Sequence, residues 1–340
     1  MLFWNESKKI LFQPVVIGFV VFCILLNGTF TLLAYNDYQF DRNINSVNIF
    51  TDFQADNIAQ DYIQKYDVTG KKADNIIKKY EKLQKVIDQK AEKGDALAFY
   101  FGTQTPYVHS TLFGLIFMII IAEVCLIGLF LGIFSTTFEK ISGTESVVYA
   151  SNIGRKIIWK KLNAVWIGTL LTSVVVVGMS LTIFFLQFDF SGVWSDYVSS
   201  GFNYAVGEFG KPFITWNSLT VVQYLWATIA LTIGLAICFA LIGFTAGIFV
   251  RNSYAAFLIS VIILCGLFVV KYLFPIGSTV RAMLGMTPVW LWKTSREWFT
   301  DGGADIIWKY YETIGLSASF LSLSLLILIG AKVFAKKEIL

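Results

Sequence analysis

A single histidine, His109, stands among 340 residues, and that alone removes most familiar catalytic constellations. A zinc site of the H-E-x-x-H kind needs two histidines, and a Ser-His dyad would have to use this one. No serine lies in a G-x-S-x-G elbow, and no G-x-G-D occurs. The four cysteines, Cys23, Cys125, Cys238 and Cys265, are widely separated inside apolar stretches with no C-x-x-C. They read as small buried hydrophobes rather than as ligands or redox pairs. No G-x-x-x-x-G-K-[ST] is present, because Gly70-Lys71 and Gly210-Lys211 lack the upstream glycine and the Ser/Thr. The phosphate cradle and the Mg²⁺ ligand of an ATPase are therefore missing. The expectation is a chain that is not itself an enzyme and carries no catalytic residue, cofactor or metal.

One carboxylate nonetheless stands out. Glu123 lies in the middle of an otherwise uncharged run from Phe99 to Phe138. Burying it in hydrocarbon costs a few kcal/mol on insertion scales, so such a residue calls for a role. It can tie helices together by hydrogen bonding, contact a cargo, or couple to a proton.

The elements that must position these residues follow from composition. The chain is 56% hydrophobic and only 15% charged, with 31 Phe, 15 Tyr and 10 Trp, against about 45–50% and 25% in soluble domains. Its mean hydropathy is +0.65. Lipid is the solvent for most of it. A bilayer-crossing helix needs about 20 predominantly apolar residues. Runs of that kind occupy Ile10–Asn36, Phe99–Phe138, Leu162–Phe188, Pro212–Val250, Asn252–Val270 and Thr313–Ala331. The prediction is an all-α membrane protein with six transmembrane helices. The first run lacks a small-residue cleavage site and reads as an anchor, not a signal peptide.

Orientation follows the distribution of Lys and Arg. With the N-terminus inside, the inner segments 1–9, 139–161, 251–253 and 332–340 carry a net +7, and the outer ones −2. Both termini are thus expected inside a cell (plasma) membrane. The net charge of +4 is spread over short segments and does not suggest nucleic acid. Trp194, Trp216, Trp290, Trp292, Trp298 and Trp308 then fall at the outer interface, and Trp4, Trp159 and Trp166 at the inner one.

Three regions lie between the spans. The outer segment 36–109 reads as a helical hairpin. Ala55, Ile58, Tyr62 and Tyr66 recur at helical spacing, as do Ile76, Tyr80, Leu83 and Ile87. Val68-Thr69-Gly70 breaks the two, Asp74 is a candidate N-cap, and the lysine-rich face reads as solvated. The hairpin either caps the membrane domain or handles cargo or a partner. The inner loop 135–161 predicts a short helix capped by Thr144 and ended by Asn152-Ile153-Gly154, with Val147 and Val148 as an apolar side suited equally to docking a soluble partner or to serving as an interfacial connector. In the outer segment 276–314, Thr287-Pro288 is a strong helix start. It is followed by a Trp-rich run through Phe299 and a turn at Asp301-Gly302-Gly303, expected to lie in the interface or re-enter the bundle. Gly128-x-x-x-Gly132 and Gly243-x-x-x-Gly247 permit close helix approach, including at a dimer interface.

This layout comprises residues 1–35 as interfacial elbow and first span, 36–109 as outer domain, and 110–340 as spans two to six. It resembles the permease subunit of ABC-2 type (type V) exporters. The inner loop carries the resemblance, with Glu139, Gly143, Thr144, Arg155 and Lys160 (or Lys161) at the positions of that family's loose motif; the opening MLFWNESKKILFQP is similar to its elbow helix. The resemblance implies that the 144–151 helix couples to a separate ABC ATPase subunit holding ATP and Mg²⁺. It also implies a second permease copy or paralogue, and alternating-access export of an antimicrobial peptide, lipid or drug. Trp290, Trp292 and Trp298, with Phe184, Phe185 and Phe268, are candidate cargo contacts. The alternatives are a proton-coupled secondary transporter using Glu123, and a membrane sensor or assembly protein whose outer hairpin is the binding module.

Overall fold

The computed structural model describes residues 2–38, 50–94, 105–150, 157–201, 213–250 and 252–336. These residues are overwhelmingly helical and contain no strand. Two isolated bridges, Tyr197 with Thr220 and Thr215 with Thr300, pin loops together. The helices are α1 (Leu2–Leu11), α2 (Pro14–Asn36), α3 (Ala55–Lys65), α4 (Lys71–Lys93), α5 (Thr105–His109), α6 (Phe117–Ile141) and α7 (Glu145–Ala150). They continue as α8 (Ile157–Gln187), α9 (Val198–Gly201), α10 (Val221–Phe249), α11 (Ser253–Val270), α12 (Thr279–Leu284), α13 (Pro288–Lys293) and α14 (Tyr311–Lys336).

Six segments are long and apolar enough to cross a bilayer: Pro14–Asn36, Tyr107–Ile141, Ile157–Gln187, Val221–Phe249, Ser253–Leu273 and Tyr311–Val333. The shortest has 21 residues, about 31 Å at 1.5 Å per residue, matching a hydrocarbon core of about 30 Å. The chain is a multi-pass membrane protein. Local signals mark the starts: Pro14 at the head of α2, a Thr220/Gln223 capping box on α10, and the Asn252 side chain on the first N–H groups of α11. The second span opens with a π-helical stretch, Ser110–Ile116, in which the Phe117 N–H reaches back to Leu112 O.

The second span is the centre of the bundle. Its most apolar stretch is 72% buried, whereas those of the first, fifth and sixth spans are 17–22% buried and leave most of their apolar surface for lipid. The two G-x-x-x-G pairs meet in one crossing inside the chain. Gly128 and Gly132 of α6 lie against the backbone of Ala236, Ala240 and Phe244 in α10, and Gly243 and Gly247 of α10 lie against Leu129, Ile133 and Thr136 of α6. A Cβ on Gly132 would fall on Ala240 O and stand 2.6 Å from Phe244 N. These glycines therefore belong to the interior of one protomer.

Elements outside the spans gather at the two ends of the bundle. At one end α1 lies along α8, with Ile10 and Leu11 reaching Gly168; we term this the α1 face. At the other end, the hairpin α3–α4 shares an apolar core with Ile214, Trp216 and Ala304. Helix α4 begins at Lys71 behind Gly70, which has a positive φ of 61°, so Asp74 is not its cap. Nor is its lysine face wholly solvated, because Lys79 and Lys90 are buried. Lys79 donates to the carbonyls of Asp301, Gly303 and Ile306 and pairs with the Asp301 carboxylate at 3.6 Å. Tyr80 donates to the same carboxylate at 2.7 Å. Burial and the neighbouring Asp301 charge hold the Tyr80 phenol well above its ordinary pKa. The left-handed Gly302 and Gly303 turn the chain, as expected, and present the carbonyls that Lys79 gathers.

Gly132→Ala and Gly243→Ala are expected to lower the thermal unfolding midpoint in detergent, overpacking of this kind costing about 1–3 kcal/mol. Gly266→Ala, which meets open space, should leave it unchanged. Equal midpoints for all three would refute the tight crossing.

Candidate functional site

On the α1 face a buried ion cluster joins three helices. Glu139, in the last turn of α6, pairs with Lys161 in the second turn of α8, and Lys161 also donates to Ser135 O at 2.7 Å. Lys9 of α1 lies 3.5 Å from the other Glu139 oxygen and 2.6 Å from Glu6. Burial alone would lower the Lys9 pKa, but Glu6 and Glu139 outweigh it and raise it. Glu139 is only 1% exposed, so it is a tie inside the fold and not part of a docking surface. Its partner is Lys161; Lys160, one residue earlier, points away and is exposed.

The backbone of Glu139 closes the same helix end. Gly143, with φ of 68°, ends α6; the Thr144 N–H bonds Glu139 O at 2.9 Å and the Gly143 N–H bonds Lys140 O at 3.3 Å. That is a Schellman closure. Thr144 is therefore the last residue of one cap and the first of the next. Its carbonyl accepts from the Val148 N–H at 3.1 Å to open α7, and its hydroxyl lies 2.8 Å from that of Ser142. Val147 is 72% exposed and Val148 half-buried. Arg155 and the expected helix end at Asn152-Ile153-Gly154 lie outside the described residues.

In the middle of the bundle Asn27 of α2 donates to Glu123 of α6 at 2.7 Å and lies 2.9 Å from Ser180 of α8. Glu123 is therefore a polar tie among three spans, with the Cys23 thiol beside it. It is not the only ionisable group buried in a span. Lys161, Lys271 and Glu312 are all 2% exposed or less, and all fall within span boundaries. In sequence they sit at run ends and look like ordinary solvent-facing charges. Of the cysteines, Cys265 is exposed on α11 and the other three are buried.

On the hairpin face the Trp-rich stretch is shorter than the spacing suggests. Helix α13 stops at Lys293, and a single 3₁₀ turn, Ser295–Glu297, precedes Trp298. Trp216, Trp290 and Trp298 are buried and Trp292 is half-buried, so these side chains pack against the protein itself. Trp292 donates to Met118 O in α6 at 2.9 Å, and Trp298 donates to Leu291 O at 3.0 Å. Trp290 donates to Leu267 O at 3.3 Å, stacks on Phe268 with centroids 4.7 Å apart, and carries the Lys271 ammonium 3.7 Å over its ring. Phe184 and Phe185 pack with Phe188, Phe190 and Trp194 in an aromatic cluster at the end of α8; Phe184 is fully buried.

Lys271 also pairs with Asp305 at 2.8 Å, and Arg281 reaches the other Asp305 oxygen at 2.6 Å. Burial pushes the Asp305 pKa up, but Lys271 and Arg281 more than offset this and hold it below the usual carboxylate value. Among the described residues no group of three or more His, Cys, Asp or Glu is placed to hold a metal ion.

Two expectations follow. Lys161→Met should destabilise the protein by about 2–4 kcal/mol, because it leaves the buried Glu139 charge with only the more distant, partly exposed Lys9 as a partner, whereas Lys161→Met with Glu139→Leu should recover most of that loss. A double-mutant cycle of thermal midpoints reads this, and additive losses would refute the buried pair. Because the folded pKa of Asp305 is depressed, its contribution is complete above the unfolded value near about 3.9 and fades as pH falls through the folded value. The stability gap between the wild type and Asp305→Asn should thus be open at pH 6 and close below about pH 4. A gap independent of pH would contradict it.

No protein-family model, curated protein or solved structure matches this chain.

Proposed function

We propose that this chain is the membrane-spanning subunit of an ATP-driven exporter of the ABC-2 kind. Its ATPase is a separate polypeptide, and it pairs with a second permease copy or paralogue in a cell membrane. The observation that carries this reading is the linkage at Glu139. Its side chain is buried against Lys161 of α8 and Lys9 of α1. Its backbone carbonyl is held by Thr144, which opens the exposed helix α7. A partner that moves α7 therefore pulls on the ends of α6 and α8 and on α1 together, with little slack to absorb the motion. The partner would meet Val147 and the exposed loop residues Gly143 and Thr144.

The concentration of Lys and Arg at 1–9 and 139–161 supports the α1 face being cytoplasmic, which is where an ATPase would dock. The chain lacks a phosphate-binding loop, so energy must come from outside it. Glu123, engaged by Asn27, supports a structural tie at mid-membrane more than a proton carrier. The cargo suited to a permease whose first, fifth and sixth spans leave so much apolar surface to lipid is a hydrophobic or amphipathic molecule, such as a peptide, lipid or drug.

Purification from the native membrane in mild detergent, comparing wild type with Val147→Asp, tests the reading. A stoichiometric ATPase with a Walker motif is expected to copurify with the wild type and to be lost or reduced about tenfold with the variant, a cost of about 1.4 kcal/mol. No such ATPase even after crosslinking would overturn it.

A further inference from the structure

The hairpin face holds a cavity of about 480 Å³, within the size range of small-molecule sites, roughly 300–1,000 Å³. Four cations line it, Lys271, Arg281, Lys293 and Arg296, against two carboxylates, Glu297 and Asp305. Asp305 is already shared by Lys271 and Arg281, and Arg296 is only 3.8 Å from Glu297 in an exposed pair. The lining therefore keeps a net surplus of two positive charges. Lys293 projects into this space from the last residue of α13 and is exposed. Aromatic rings complete the wall, with Tyr62 and Tyr66 from the hairpin on one side and Tyr272 and Trp290 on the other.

A second cavity, of about 450 Å³, lies among α10, α11 and α14 and is almost wholly apolar, lined by Ile263, Leu267, Leu323 and Leu326 among others. No described residue lines both cavities, but neighbouring residues of the same elements line one and the other. Leu267 lines the apolar one and Lys271 the cationic one, a single helical turn or about 6 Å apart along the same helix. Pro288 and Trp290 of α13 divide them in the same way. Trp290 forms the partition, bonded to Leu267 O on one side and covered by the Lys271 ammonium on the other. Lys271 lies two residues before the end of the apolar segment Ser253–Leu273, where the polar heads of a bilayer would meet its hydrocarbon.

We infer that the cationic cavity and the apolar cleft together form a site for an anionic lipid of the leaflet on the hairpin face, the acidic head beside Lys293 and Arg296 and an acyl chain in the cleft. The positive surplus selects the head, since each Lys or Arg near a membrane surface favours acidic lipid; the cleft selects a molecule with a chain over a free anion. The inference stands independently of any exporter role, because it concerns occupancy and not movement.

The test uses the full chain in nanodiscs of phosphatidylcholine with or without phosphatidylglycerol, read by thermal midpoint and by native mass spectrometry of retained lipid. Wild type is expected to retain phosphatidylglycerol and to be stabilised by it. The double variant Lys293→Gln/Arg296→Gln, both exposed side chains, should keep its midpoint in pure phosphatidylcholine yet lose the acidic-lipid preference by about tenfold. Ser322→Trp, which fills the cleft, should weaken retention of long-chain but not of short-chain phosphatidylglycerol. Equal retention of the two lipids by wild type, or an undiminished preference in the double variant, would overturn the site. Full displacement of the lipid by millimolar inorganic phosphate or glycerol phosphate would overturn its lipid character.

Discussion

The backbone-to-backbone approach of α6 and α10 is the constraint on which the rest of this fold depends. In hydrocarbon there is no hydrophobic drive to press one apolar helix on another, so association rests on close van der Waals packing and a few polar contacts. Glycines at 128, 132, 243 and 247 let these two helices meet where any side chain would hold them apart. That contact makes the second span the axis of the bundle, with α8 also packed on it and the fifth and sixth spans left mostly to lipid. Everything that can transmit motion is fastened to this axis.

Polar ties then appear at three depths along it. Near the α1 face Glu139 binds α1 and α8; at mid-depth Glu123 and Asn27 join α2 to α6, with Ser180 of α8 beside Asn27. On the hairpin face Trp292 bonds a backbone carbonyl of the same helix. Each tie is strong for the same reason: the medium around it offers no competing water, so an unpaired partner would be costly. Such ties are also selective, because they fix the rotation of neighbouring helices about their own axes in a way that apolar packing alone leaves loose. The tie near the α1 face differs from the others in being continuous with the next helix, since the Glu139 carbonyl accepts from Thr144, whose own carbonyl opens α7.

The hairpin and the loops of its face form one further unit. Lys79 reaches three carbonyls around the Gly302-Gly303 turn, and its ammonium is held much as a small cation would be by a carbonyl cage. The apolar stripes of α3 and α4 close over Trp216 and Ile214. The hairpin is thus built onto the loops between the later spans, and its tyrosines form one wall of the cationic cavity.

Helix number and approximate position were legible in sequence because a bilayer imposes a length and a polarity that local composition must meet. The turn at Asp301-Gly302-Gly303 was equally plain, since it depends on residues adjacent along the chain. The roles of individual charges were not. Lys79, Lys161 and Lys271 look in sequence like solvated lysines at helix surfaces or span ends, and only their burial against Asp301, Glu139 and Asp305 reveals ties between segments distant in the chain. Trp290 and Trp298 read as interfacial aromatics for the same reason. A tryptophan, apolar in its ring and polar at its N–H, suits a membrane interface and a protein interior alike, so its side-chain chemistry cannot tell them apart. The two G-x-x-x-G pairs carried permission for close contact but not its address; that they face each other, rather than a second protomer, was decided by how the spans pack. Sequence thus determined which segments enter the membrane, because that choice is local, while tertiary structure decided which face of each helix meets which partner, because that depends on contacts between residues from 22 (Glu139 with Lys161) to 222 (Lys79 with Asp301) positions apart.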